Sequence, residues 1–199
     1  TEVLNQIDEK VELFEKAYGR FETLADSVRF YVNDLFGSEG LVVVDGDDCQ
    51  LKGQFAPIMK DDILNQNANQ KVKSTNKELN NLGYKSQAFS RPINFFYLDD
   101  FRRRIIAEGE NFRVLNSEIK FSKQEILSEV DLYPERFSPN VIMRPLYQEN
   151  ILPNIAYLGG PAEIIYWLQL KGVFDYYKMN FPILMPRNFG MIVNQNTAQ

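Results

Sequence analysis

Near the end of this 199-residue chain, Ile155-Ala156-Tyr157-Leu158 reads as a strand, Gly159-Gly160 turns, an apolar helix runs from about 161 to 178, and Phe181 to Met185 reads as a second strand. Strand, helix and strand within about thirty residues form a βαβ unit, whose strands run parallel with a right-handed crossover. This unit constrains the fold more than any other segment, because parallel strands demand an α/β arrangement with a helix packed on the sheet. Pro161 suits the first helical position. Ile164, Ile165, Trp167, Leu168, Leu170, Val173, Phe174 and Tyr177 surround most of the helix, so deep burial is expected. Parallel strands end on one edge of their sheet, so Gly159-Gly160 and Pro186-Arg187-Asn188 share the carboxyl edge, where open α/β sheets bind ligands. The helical amides after Gly160 point to that edge as an anion site, which Arg187 reinforces. Glu163, in the first turn, is the nearest carboxylate; complementing the helix dipole is its plainer role.

The rest of the chain supplies context. Helical spacing over 3–18 and about 21–35 predicts two helices, with Gly37 as a stop. Leu41-Val42-Val43-Val44 reads as a strand buried on both faces, which would bring Asp45, Gly46 and Asp47 to the same edge. A polar helical stretch follows to about Leu79 or Leu82, starting near Pro57. Short strands are expected at Tyr84–Phe89, Phe95–Leu98, Arg104–Ala107 and Phe112–Leu115, with a hairpin turn at Glu108-Gly109-Glu110-Asn111. Ser122 and Glu125 make a capping box. The division that follows is a helical segment and first part of an α/β core at 1–82, a small antiparallel α+β insertion at 83–135, and the βαβ portion of the core at 136–199.

The chain has no His and one Cys, which removes Ser-His-Asp and Cys-His catalysis, imidazole metal ligation and an internal disulfide. Proton handling then falls to Asp, Glu, Tyr, Lys or Cys. A net charge of −5 argues against nucleic acid as a partner, and no apolar run reaches membrane-spanning length. Acidic turns after strands are usually solvated, so Asp45, Asp47 and Asp48 are not read as a metal site. Cys49 has no cationic neighbour in sequence and is read as an idle thiol. Arg102-Arg103-Arg104 is expected to be paired at the surface, and Tyr166 and Trp167 to lie in the core. The densest polar segment, 138–149, surrounds Val141-Ile142-Met143 with Asn140, Arg144, Gln148 and Glu149. A strand at 141–143 feeding Arg144 and Gln148 into a cleft is the expectation. The chain opens at Thr1 without Met and is expected to be a piece of something longer.

At this segment the sequence resembles the bacillithiol-biosynthesis cysteine-adding enzyme family, BshC. The match rests on SPNVIMRPLYQENILPNIAYLGGPAEIIYWLQLKGVF at 138–174 and FPILMPRN at 181–188, with LFGSEGLVVVDGDD at 35–48 and NFFYLDDFRRRI at 94–105. It covers essentially the whole chain. The resemblance implies a partial Rossmann-like parallel sheet with a small α+β connecting insertion. It also implies a cytoplasmic ligase that adds cysteine to the amine of glucosaminyl malate, and a homodimer built through a C-terminal coiled coil. The family's Gly-Gln-Gln turn, Gly-Pro-rich stretch and coiled coil do not stand in this chain, so a central piece holding one side of the cleft, inactive by itself, is expected. In that frame Arg144, Arg187 and the Gly159-Gly160 amides bind an anionic group, Asn140, Gln148 and Tyr157 make polar contacts, and Glu163 holds or deprotonates the amine. Ligation points to ATP, with ADP as a bound product, although neither a P-loop nor a complete dinucleotide fingerprint is present. The rival reading is a non-catalytic α/β binding or assembly module; a nucleotidyltransferase-like enzyme is a further alternative.

Overall fold

The computed structural model describes residues 2–190 and 193, and they divide into two compact units, one ending at Asp48 and one beginning at Cys49. The first unit is a helical hairpin, α1 (Glu2–Arg20) and α2 (Leu24–Phe36). Thr23 caps α2 by accepting a hydrogen bond from the Asp26 amide at 3.1 Å. Phe14 stacks on Tyr18 at 4.2 Å and meets Tyr31 edge-on across the pair. A short 3₁₀ turn at Gly37–Glu39 closes on Gly40, whose φ of 83° is open to glycine at little cost.

The expected strand at 41–44 does not form. Leu41 and Val42 are 46% and 66% exposed, and the segment pairs with no strand among the described residues. The Leu41 amide bonds back to the Phe36 carbonyl, and Arg29 of α2 faces Asp45 at 3.5 Å, so the run is tied to its own hairpin. A run of four apolar residues carries no ladder of its own.

The second unit opens with α3 (Cys49–Asn65) and α4 (Asn67–Asn81). α3 begins eight residues before Pro57 and carries that proline inside it, whereas the sequence places the start near Pro57. Burial of Phe55, Met59 and Ile63 on one face offsets the lost hydrogen bond. Gln66, at φ 56°, separates the two helices.

The main sheet is five-stranded and wholly antiparallel, in the order β4-β3-β2-β1-β5. Its strands are β1 (Phe95–Leu98), β2 (Arg102–Glu108), β3 (Asn111–Val114), β4 (Lys120–Phe121) and β5 (Phe137–Pro139). β2 and β3 turn through Gly109 (φ 63°) and Glu110, as the sequence predicts. Ser122 and Glu125 form the expected capping box at the start of α5 (Lys123–Leu132). Phe95, Tyr97, Ile105, Phe112 and Val114 face a core shared with α3 and α5.

Parallel pairing is confined to β6 (Ala156–Gly159) and β7 (Ile183–Pro186), in register from Ala156–Ile183 to Gly159–Pro186. The α/β class and the βαβ unit therefore stand, but among the described residues the sheet that organises the unit is antiparallel. The linking helix is also broken, into α7 (Pro161–Gln169) and α8 (Lys171–Tyr176). At Gly172 a Cβ would come within 2.7 Å of Thr75 Oγ1, so α8 lies too close to α4 for a side chain there. Trp167, Leu170, Val173 and Phe174 are buried, but Ile164 and Ile165 only partly, so burial is shallower than the apolar count implies.

Two further strands are missing for identifiable reasons. Over 84–89, the Gln87 and Ala88 amides donate to Gln169 Oε1, and Gln169 Nε2 returns a bond to the Ala88 carbonyl. One buried side chain thus takes the bonds a ladder would use. At 141–143 the Asn140 side chain accepts from the Ile142 and Met143 amides, which turns the chain into α6 (Arg144–Ile151). The apolar triplet is there because Ile142 and Met143 fill the core from that turn. Among the described residues, no helix is long and apolar enough to cross a membrane.

Candidate functional site

The carboxyl edge of β6 and β7 assembles four of the expected residues. The Arg187 amide donates to the Gly159 carbonyl at 2.9 Å, which fixes the end of β7 against the turn. Glu163 Oε2 accepts from the Gly160 amide at 2.6 Å and lies 3.9 Å from Arg187 Nη1. The carboxylate of Glu163 therefore already occupies the amide that the sequence offers to an external anion. Crowding demands glycine at 159, whereas at 160 a side chain would only displace exposed side-chain ends. A Cβ on Gly160 would meet Arg187 Nη2 at 3.2 Å, and one on Gly159 would meet the Tyr157 ring at 2.8 Å. That ring is not free to move, because it stacks on Trp167 at 4.2 Å. Gly159→Ala is accordingly expected to lower stability by about 2 kcal/mol in urea unfolding; an unchanged midpoint would refute the crowding argument.

A second group begins at Arg144, the first residue of α6. Its guanidinium donates to Gln148 Oε1 at 3.1 Å and to the Tyr166 hydroxyl at 3.0 Å. Both acceptors are neutral, so the positive charge is oriented without being cancelled. Tyr157 connects the two groups electrostatically. Burial pushes its hydroxyl above the usual tyrosine range, with Tyr166 and Glu163 adding to the shift, while the Trp167 indole and Arg144 oppose it. Glu163 and Arg144 are thus both close enough to be felt at one phenol.

Asn140 is not at this edge. Its amide group donates to Asn94 Oδ1 at 3.0 Å, and its oxygen is used by the turn into α6, so it holds the segment that presents Arg144. The acidic turn of the first unit is internally engaged: Asp45 accepts from the Asp47 amide and faces Arg29. Among the described residues, no three acidic or Cys side chains are grouped as a metal site would require.

Two features escape the sequence reading. Tyr166, read as core, supplies a polar tip to Arg144 from 22 residues away, and no local spacing announces that contact. Asp62 is fully buried, accepts from the Asn94 amide at 2.7 Å and from Asn94 Nδ2 at 3.2 Å, and burial raises its pKa to about 7 despite these bonds. A signal for Asp62 did exist, since it shares the helical face of Phe55, Met59 and Ile63.

Residues 2–188 match the model of a family described as bacillithiol biosynthesis BshC, N-terminal Rossmann-like domain. The chain is 50% identical over 185 residues to a protein of Flavobacterium psychrophilum named "Putative cysteine ligase BshC", covering 92% of this chain and 34% of that protein. Proteins of the same name from Flavobacterium johnsoniae and Cytophaga hutchinsonii are 46% and 44% identical, over 94% and 100% of this chain and 35% and 38% of theirs. The chain thus spans about a third of the length of these relatives. It belongs to the bacillithiol-biosynthesis BshC family, matching that family's N-terminal Rossmann-like domain along nearly its whole length.

Proposed function

We propose that this chain supplies one side of the active cleft of a cysteine ligase, which joins the cysteine carboxyl to the amine of glucosaminyl malate. The observation that carries the reading is the pairing of a restrained carboxylate with an uncancelled guanidinium around Tyr157. Glu163 is held by the Gly160 amide, with Arg187 near it, and Arg144 is held by two neutral acceptors.

An amine nucleophile must lose a proton as the amide forms, and Glu163 is the group placed to hold the ammonium form and take that proton. Arg144 then receives a substrate carboxylate or phosphate through its remaining donors, with Gln148 and Tyr166 fixing its plane. Arg187, 58% exposed at its side chain, joins in anion binding from the far side of Glu163. Gly159 and Gly160 contribute close approach rather than a free amide, Tyr157 lines the floor between the charges, and Asn140 positions the turn before Arg144.

ATP use by the complete enzyme fits ligation, but the residues here do not form a phosphate cradle, because Glu163 fills the Gly160 amide. No step is assigned to a nucleotide on these side chains. The complete protein is placed in the cytoplasm as a homodimer joined through a C-terminal coiled coil, and the 199-residue chain alone is expected to be inactive. We also keep 1–82, 83–135 and 136–199 as its division into core, insertion and βαβ portion.

The test is single replacement of Arg144, Glu163 and Arg187 by Ala in the complete enzyme, assayed with cysteine and glucosaminyl malate. Each loss of a charged contact to substrate should lower kcat/KM at least roughly tenfold. Wild-type activity in all three variants would end the assignment, and robust turnover by the 199-residue chain would refute its expected inactivity.

A further inference from the structure

The described residues include all ten arginines, and eight of them have a side-chain partner. Arg20 lies over Phe21 and Phe30, and Arg102 donates to Ser138 and the Pro139 carbonyl. Arg29, Arg103, Arg113, Arg136 and Arg187 face carboxylates, and Arg144 is held by Gln148 and Tyr166. The two that remain, Arg91 and Arg104, have no hydrogen-bond or ion-pair partner for their guanidinium among the described residues. Both line the same cavity of about 360 Å³. Two cations on the walls of one cavity, neither with a counter-charge, raise its positive potential and favour an anion there.

The rest of the cavity is built, not incidental. Ile106, half-buried and on the same face of β2 as Arg104, forms an apolar wall with Pro92 over the buried Ile93. The loop that carries Arg91 is clamped from below. Asn94 Oδ1 accepts from the Arg91 amide at 3.0 Å, and Asn94 Nδ2 donates to the Arg91 carbonyl at 2.9 Å. The buried Asp62 carboxylate holds Asn94 in turn, while the Asp62 carbonyl accepts from the amide of Gln66, another lining residue. Asp62 thus ties down Gln66 directly and the Arg91 loop through Asn94, so little backbone ordering is needed on binding. Arg104 projects from β2, opposite Phe96 in the sheet, and is equally fixed in its backbone.

We propose that this cavity is a binding site for a small organic anion, a phosphate or carboxylate held by Arg91 and Arg104 with its apolar portion against Pro92 and Ile106. The volume is in the range of small-ligand pockets. The site uses none of the residues of the ligase reading, so either can fail without the other.

The experiment titrates the 199-residue chain with phenyl phosphate, benzoate, inorganic phosphate and benzyl alcohol, following isoleucine methyl resonances by NMR. Saturable shifts at Ile93 and Ile106 are expected with phenyl phosphate or benzoate, and the tighter of the two identifies the anion. Arg91→Gln and Arg104→Gln should each weaken that binding roughly tenfold. Arg113→Gln, which removes an equal charge from a Glu108-paired arginine outside the cavity, should leave it unchanged. No saturation by either aromatic anion overturns the proposal. So does undiminished binding in both cavity variants, or equally tight binding of benzyl alcohol or of inorganic phosphate.

Discussion

Asp62→Asn is expected to abolish a fall in stability that the wild-type chain shows between about pH 4 and pH 7. Asp62 is fully buried, and its pKa lies near 7 in the folded chain against 3.8 for an ordinary aspartate. Between those values the folded state binds more protons than the unfolded one, so stability decreases as pH rises through the window. The full span corresponds to on the order of 4 kcal/mol. The neighbouring Asp61 acts in a different window. Burial works against its charge, but hydrogen bonds from Asn65, Asn67 and Tyr177 outweigh it and hold its pKa low. Its contribution is therefore present above about pH 4 and lost only on further acidification, which leaves the higher window to Asp62. Urea unfolding at a series of pH values, followed by circular dichroism, reads the effect directly. A variant whose stability declines in parallel with the wild type would show that Asp62 is not the group responsible. Asn94→Ala tests the same network from the other partner. It strips Asp62 of the Nδ2 bond and also breaks the bonds to Arg91 and Asn140, so a loss of about 3 kcal/mol at neutral pH is expected.

That network also marks where sequence reading stops. The helices of the first unit, the capping box at Ser122, the hairpin at Gly109 and the parallel β6–β7 pair all follow from local signals: spacing, a cap, a turn residue, a strand-helix-strand order. Those signals act over a few residues, and so they survive folding. The failures share a different cause. Residues 84–89 and 141–143 have strand-like composition, yet their amides are taken by Gln169, 81 residues away, and by the local turn of Asn140. The antiparallel strands within 83–135 also follow from their short length and hairpin turn, whereas nothing local shows that this sheet, and not a parallel one, organises the unit. In the candidate site, Glu163, Gly159, Gly160 and Arg187 were legible because parallel strands must end together. Tyr166 was not, because an aromatic residue on an apolar helix gives no sign of which end of its ring will meet a guanidinium.

Trp167→Ala should be the most damaging change in the βαβ unit, costing about 4 kcal/mol. Trp167 is fully buried, stacks on Tyr157 at 4.2 Å, and touches Phe174 and Phe181 at 5.9 and 6.2 Å between ring centres. It is therefore the common surface on which β6, α8 and the approach to β7 rest. Trp167→Phe should cost far less than ring volume alone implies. Phenylalanine keeps an aromatic face against Tyr157, Phe174 and Phe181 and removes only part of the buried ring. A loss of about 1 kcal/mol is expected, measured by urea unfolding with circular dichroism, because Trp167 is the chain's one tryptophan and its fluorescence disappears with it. Equal losses in the two variants would mean that the retained aromatic face contributes nothing to the packing. The two substitutions also separate packing from chemistry. Phenylalanine keeps a flat face under Tyr157, so a complete enzyme carrying Trp167→Phe should retain most of its kcat/KM. Alanine removes the stacking partner of the Tyr157 ring, and the same assay should then fall together with stability.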